Sequence, residues 1–176
     1  RPTILEEFCG FLFKDIPEIK SLGLGFFNKK VYAGISIDNK GQPIIKTKDI
    51  DFCIGKEIEV DFGEIKTKVI IPIIAIECKT YLDKTMFSES QFTAQKLKQG
   101  SPNVRVYVLS EENQVDPKEI PSKGQTPVDQ IYIIREEGRG KIDADAVYEF
   151  FTEVRDNIIK ATKQNIINLK GKLLPE

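Results

Sequence analysis

Hydrophobic and polar positions divide this chain into segments of two periods. Ile4, Leu5, Phe8 and Leu12 recur at helical spacing and predict a first helix over Thr3–Phe13. Residues 30–37 read as a strand that ends at the Asn39-Lys40-Gly41 turn. Residues 49–54 alternate cleanly, which assigns Ile50, Phe52 and Ile54 to a core face and Asp49, Asp51 and Cys53 to the opposite one. The stretch 57–68 fits either a small hairpin around Asp61-Phe62-Gly63 or an extension of the sheet. From Val69 to Ile76 every residue is apolar and most are β-branched, the composition of a buried strand. Pro72 removes a ladder donor within it, so a bulge or an unpaired edge is expected there.

After Met86 the period changes. Ser88-Glu89-Ser90-Gln91 reads as a capping box that opens a helix over residues 89–99, and Gly100 followed by Pro102 supplies the stop. Residues 104–109 predict a further strand. Residues 111–130, polar and interrupted by Pro117, Pro121 and Pro127, read as a long disordered loop that needs no partner to explain it. A short strand over 131–134 and a long helix over 144–173 complete the chain. A helix of that length spans about 45 Å, so its end at 166–174 either packs on another subunit or folds back after a break near 162–165. The order helix, three strands, helix, strand predicts an α/β fold: a mixed central sheet flanked by helices, with a long C-terminal helix, in a single domain over 1–176.

The apolar run ends in charge. Side chains alternate across a strand, so Glu77 and Lys79 project to one face and Cys78 to the other. Burying such charges without partners costs roughly several kcal/mol, which calls for a metal, a phosphate or another acid on that face. The Glu-x-Lys spacing recurs at Glu18-Ile19-Lys20 and Glu64-Ile65-Lys66, and Glu77 differs by closing a long buried run. If the 49–54 strand pairs antiparallel with the 69–80 strand, Asp51 meets Glu77 and Lys79 at one end of the sheet. Two hard oxygen ligands beside an ammonium suit magnesium. Asp49 and Asp61 compete with Asp51 for the role of second acid. Alternation favours Asp51, because Asp61 stands next to Gly63 in a predicted turn, where an Asx turn accounts for it.

Composition narrows the chemistry. The chain has 176 residues, 40% hydrophobic and 30% charged, enough for one soluble domain with a substantial core. It contains no histidine, which excludes Ser-His-Asp and Cys-His centres and histidine-ligated hydrolases. No phosphate-binding loop is present, and Gly23-Leu24-Gly25 and Gly138-Arg139-Gly140 read as turns. Cys9, Cys53 and Cys78 are too far apart for a disulfide framework or a zinc site, and a reducing cytoplasm is expected. The longest apolar stretch falls short of a membrane span. Arg1-Pro2-Thr3 carries neither a signal peptide's apolar centre nor an initiator Met, so the chain reads as a fragment or trimmed form of a larger enzyme. The formal net charge of −1 lacks the surplus usual in DNA-binding proteins, so phosphate contacts must come from a local patch. Lys84, Lys96 and Lys98 are the candidates near the charged strand end, with Lys29, Lys30, Lys46 and Lys48 before it. Each one taken alone is explained as a solvated surface lysine.

Asp51, the hydrophobic strand and Glu77-x-Lys79 resemble the PD-(D/E)XK nuclease superfamily. The longer stretch AIECKTYLDKTM, ending in Tyr81-Leu82-Asp83-Lys84-Thr85-Met86, is similar to Type II restriction endonucleases built from two non-identical subunits. The similarity runs over about residues 49–100, and Ile50 stands where the superfamily pattern has proline. The resemblance implies a restriction-endonuclease-like α-β-β-β-α-β core and Mg²⁺-dependent hydrolysis of double-stranded DNA. It implies catalytic roles for Asp51, Glu77 and Lys79, a metal held by Asp51, Glu77 and the Cys78 carbonyl, and Lys79 beside the attacking water. The ends would be 5′-phosphate and 3′-hydroxyl, and the partner a second nuclease subunit in a homo- or hetero-oligomer. Glu6 and Glu7 resemble the extra acids of some members, though a solvated helix face explains them. Two other readings keep the fold: a non-sequence-specific or structure-specific repair nuclease, and a DNA- or protein-binding subunit whose site has decayed. The intact Asp51, Glu77 and Lys79 argue against decay.

Overall fold

A single strand, Lys66–Leu82 (β5), forms the axis of the molecule. The structure is a computed structural model that describes residues 3–63, 66–135 and 140–163. Before β5 come helices Thr3–Phe13 (α1) and Pro17–Ser21 (α2) and strands Gly25–Phe27 (β1), Val31–Ile37 (β2), Pro43–Lys48 (β3) and Phe52–Asp61 (β4). After it come helix Lys84–Gly100 (α3), strand Arg105–Asn113 (β6), a 3₁₀ turn at Pro117–Glu119, strand Gln130–Ile133 (β7) and helix Ala144–Lys163 (α4). The main sheet is ordered β1-β4-β5-β6-β7, antiparallel from β1 to β5 and parallel from β5 to β7. It is a mixed central sheet between helices, as the patterning predicts.

Both faces of this sheet are covered, which explains why β5 is apolar at successive positions rather than alternate ones. Ile74, Ile76 and Cys78 pack with Leu5, Cys9 and Phe13 of α1 and Phe150, Val154 and Ile158 of α4. Ala75, on the other face, packs with Cys53, Phe87, Ala94 and Leu97 toward α3. The bulge expected at Pro72 is present: Ile54 pairs with Ile74 and Gly55 with Pro72, leaving Ile73 as the extra residue. Gly55 is required at that point, because a Cβ there would lie 2.5 Å from the Ile71 carbonyl oxygen.

Several expectations change. The first strand of the core is the three-residue β1, too short to show a period, whereas residues 30–37 belong to a separate two-stranded sheet, β2-β3. Strand β4 starts only at Phe52, with Asp51 in a bend, so the alternation does not reach back to Ile50. Ile50 therefore joins Cys53 in the α3-side core, away from Phe52 and Ile54. Cys53 is buried, not outward. Residues 57–61 and 66–68 continue the antiparallel β4-β5 ladder out to the Asp61–Lys66 pair, where Asp61 also accepts the Gly63 N–H. Helix α3 opens at Lys84 and not at the Ser88 capping box, because Asp83 caps it by accepting the Met86 N–H at 2.8 Å. Ser88 turns back instead and donates to the Lys84 carbonyl.

The 111–130 segment is not the disordered loop expected. Strand β6 runs into it, Val115 and Val128 are buried in the α3-side core, and Gln91 of α3 donates to Thr126. The predicted helix end at 166–174 lies outside the described residues. Cys9, Cys53 and Cys78 are free and buried. No helix among the described residues is long and apolar enough to cross a membrane.

Candidate active site

Ladder pairing between β4 and β5 ends at Phe52 and Ile76. Beyond that pair β4 offers no further backbone acceptor, and the Cys78 N–H donates instead to Asp51 Oδ2 at 2.8 Å. The Asp51 side chain thus continues the sheet edge and is carried to the level of Glu77. On the same face Lys79 Nζ lies 2.8 Å from Glu77 Oε2 and 3.9 Å from Asp51 Oδ2. The side chain of Glu77 is 10% exposed, that of Lys79 20% and that of Asp51 31%, so the group is half-sunk at the wall of a cleft. The cleft measures about 690 Å³, and Glu6, Lys48, Asp49 and Glu89 line it together with Asp51 and Glu77.

Burial raises the Glu77 pKa, and the hydrogen bond and charge of Lys79 only partly offset it; the Asp51 charge raises it further. For Lys79, burial alone would depress the pKa, but the hydrogen bond and charge of Glu77, joined by Asp51 and Glu89, outweigh it and raise it. Lys79 is therefore a firm ammonium, while Glu77 is a carboxylate short of positive charge. The Cys78 thiol points to the α1 side, hydrogen-bonded to Cys9, and its pKa is raised by that bond and by burial. Only the backbone of Cys78 is left to serve the cleft.

The other candidates are dispersed. Asp49 lines the cleft but is exposed. Asp61 sits at the far turn, pairing across to Lys66 and accepting the Gly63 N–H at 2.7 Å. That places it eleven residues of β5 from Glu77, roughly 35 Å along a strand. Glu6 is half-buried and lines the cleft, whereas Glu7 is exposed outside it. Lys84 is paired with Glu119 at 3.0 Å. Lys96 lies over the Phe92 ring, 5.3 Å from its centroid. Lys98 is held by Asp129 at 2.8 Å, an acid that also binds Arg105. None of these three lysines lines the cleft; Lys48 does. Its position at the end of β3, immediately before the Asp49-to-Asp51 bend, was the available signal.

Among the described residues no three His, Cys, Asp or Glu side chains converge into a metal-holding group. The donor set nevertheless fits a magnesium ion, which keeps several waters and binds through one or two carboxylates. Asp51 Oδ2 and Glu77 Oε2 are engaged by Cys78 and Lys79, while Asp51 Oδ1 and Glu77 Oε1 take no hydrogen bond from another described residue. Two carboxylates in one recess, one of them desolvated, are the surroundings that a divalent cation relieves.

The mixed central sheet between helices is the fold of a restriction endonuclease. The Bpu10I restriction endonuclease family matches residues 2–169, and the chain belongs to that family. A solved structure of the native BbvCI A2B2 tetramer matches with a TM-score of 0.62 at 22% identity, over 78% of this chain and 60% of that one. The likeness is one of fold, and the chain spans 60% of the length of that relative. No curated protein matches. The likeness to Type II restriction endonucleases read from the sequence is met by the family match over residues 2–169.

Proposed function

We propose that this chain is the catalytic unit of a Type II restriction endonuclease that hydrolyses phosphodiester bonds in double-stranded DNA with Mg²⁺. The observation that carries the reading is the convergence of Asp51, Glu77 and Lys79 at one end of β5, at the wall of an open cleft. Asp51 Oδ1 and Glu77 Oε1 would hold the cation, with the Cys78 carbonyl as a further ligand. When bound, the ion supplies charge neutralisation at the scissile phosphate and a lowered pKa for water.

The residues of the chain supply positioning. Cys78 N–H and Lys79 fix the Asp51 and Glu77 carboxylates in orientation. Lys79 lies beside the two carboxylates that would hold the ion, where it orients the attacking water and stabilises the negative charge that develops on it. Water attacks phosphorus in line with the leaving 3′-oxygen and gives up its proton to solvent; the P–O3′ bond breaks and the 3′-oxygen takes a proton from water, giving 5′-phosphate and 3′-hydroxyl ends. The BbvCI structure is an A2B2 tetramer, and by analogy this chain works beside a second subunit, a copy or a non-identical one. Three free buried thiols suit the reducing cytoplasm.

Incubating plasmid with the purified protein and Mg²⁺ tests the reading. A fixed set of cut positions is expected. General degradation would favour the non-sequence-specific or structure-specific nuclease, and an inert protein would favour the decayed subunit.

A further inference from the structure

The β2-β3 ribbon is unlike the rest of the molecule. Residues 28–48 hold five lysines, Lys29, Lys30, Lys40, Lys46 and Lys48, against one acid, Asp38, in a chain of net charge −1. Asp38 is turned inward on the ribbon's own turn, accepting the N–H groups of Lys40 and Gln42. None of the five lysines forms an ion pair with a described residue. Elsewhere Lys66, Lys68, Lys79, Lys84, Lys98 and Lys123 are each within reach of a carboxylate.

The ribbon also exposes apolar side chains on both faces. Ile35 and Ile37 are 51% and 72% exposed, and Ile44 is 45% exposed. Cross-strand pairing puts Ile35 with Ile45, and Ser36 with Ile44 on the opposite face. An isolated two-stranded hairpin is marginal in water, and the base of this one is tied to α3. A Cβ on Gly100 would lie 2.2 Å from the Ala33 carbonyl carbon, so helix and ribbon backbones touch there. Helix α3 carries Ser88, Glu89 and Phe92, which line the cleft. The ribbon is therefore fixed relative to Asp51 and Glu77 at its base and free toward its tip.

Along β3, Ile44, Lys46 and Lys48 share one face, and Lys48 ends in the cleft beside Asp51 and Glu77. A row of cations thus leads outward from the acids. At roughly 3.3 Å per residue, β2 is about 23 Å long, longer than the major groove is wide, about 12 Å, and that groove admits a two-stranded ribbon.

Resting on the nuclease reading, we propose that the β2-β3 ribbon is the arm that engages duplex DNA next to the cleft. Lys29, Lys30, Lys40, Lys46 and Lys48 contact backbone phosphates, and Ile44, which shares the face of Lys46 and Lys48, is directed at base edges, where thymine methyl groups offer apolar contact.

The test is binding of a fluorescent mixed-sequence duplex by the full chain, with Ca²⁺ replacing Mg²⁺, as a function of salt. Replacing Lys29, Lys30, Lys40 and Lys46 with Ala, all four exposed, should weaken binding at least about tenfold. The slope of log K against log salt should fall by about 0.9 for each phosphate that is no longer neutralised. Replacing Lys66 and Lys68 with Ala, at the far end of the β4-β5 ladder, should keep the wild-type slope. Wild-type affinity and slope in the lysine variant would overturn the assignment of the ribbon alone. A wild-type protein that neither binds nor cleaves duplex would overturn the nuclease reading itself. If the ribbon instead holds a second copy of the chain, Ile37→Ser would lower the mass in sedimentation and leave the salt slope intact, and that result also overturns the assignment.

Discussion

Asp51 Oδ2 accepts the backbone N–H of Cys78 at 2.8 Å, which fixes the carboxylate of the bend before β4 by the residue that follows Glu77 on β5. Structure and chemistry share this contact, and substitution separates them. Asp51→Asn keeps an acceptor for Cys78 and removes the charge; it should unfold within a few tenths of a kcal/mol of wild type and lose cleavage. Asp51→Ala leaves a buried N–H unsatisfied and should lose about 1 kcal/mol as well. Denaturant melts of the two variants check this, and equal stability losses would contradict it.

Glu77 makes the opposite prediction for stability. Its folded pKa is raised by burial above the unfolded value, so the native state holds the proton more firmly. Any stabilisation from that proton is present at pH below the unfolded pKa and is lost as pH rises through the folded pKa. Glu77→Gln removes the penalty of ionisation. Its melting temperature relative to wild type should therefore climb from acid to neutral pH and then level off. A difference that narrows over the same range would contradict the assignment of a desolvated carboxylate.

Lys79→Ala should reduce cleavage by at least about a hundredfold, in line with loss of a group that acts on the transition state, without lowering the melting temperature by more than about a degree or two. Ordinary turnover in the purified variant would remove Lys79 from the mechanism.

How much of this was readable in the sequence depends on which signal each residue carried. Glu77 and Lys79 were legible because a long apolar run ends at them, and the Pro72 bulge because proline cannot donate to a ladder. Ile50 and Cys53 were misplaced, since alternation implies one wet face and this sheet is covered on both. The start of α3 was hidden by two possible caps, Asp83 and Ser88, of which Asp83 accepts the Met86 N–H while Ser88 donates to the Lys84 carbonyl. The three residues of β1 are too few to show any period. Lys48 was legible as a neighbour of Asp49 and Asp51 in the chain, whereas Glu6 reaches the cleft because α1 packs on β5, a relationship that spacing along the chain does not record.

The bulge beside the site is sensitive to volume. Gly55→Ala places a Cβ 2.5 Å from the Ile71 carbonyl oxygen, a backbone atom of the strand that carries Glu77. The variant should be destabilised by about 1–3 kcal/mol and lose activity in proportion to misplacement of β5. Wild-type stability in a denaturant melt would show that the two strands do not approach this closely.

The most direct test is a crystal structure of the protein soaked with Mn²⁺, read by anomalous scattering. One peak shared by the carboxylates of Asp51 and Glu77, with Lys79 alongside, is the predicted result. A peak that Glu77 shares with Asp49 or Asp61, or one that avoids Glu77 altogether, would contradict the assignment of the site.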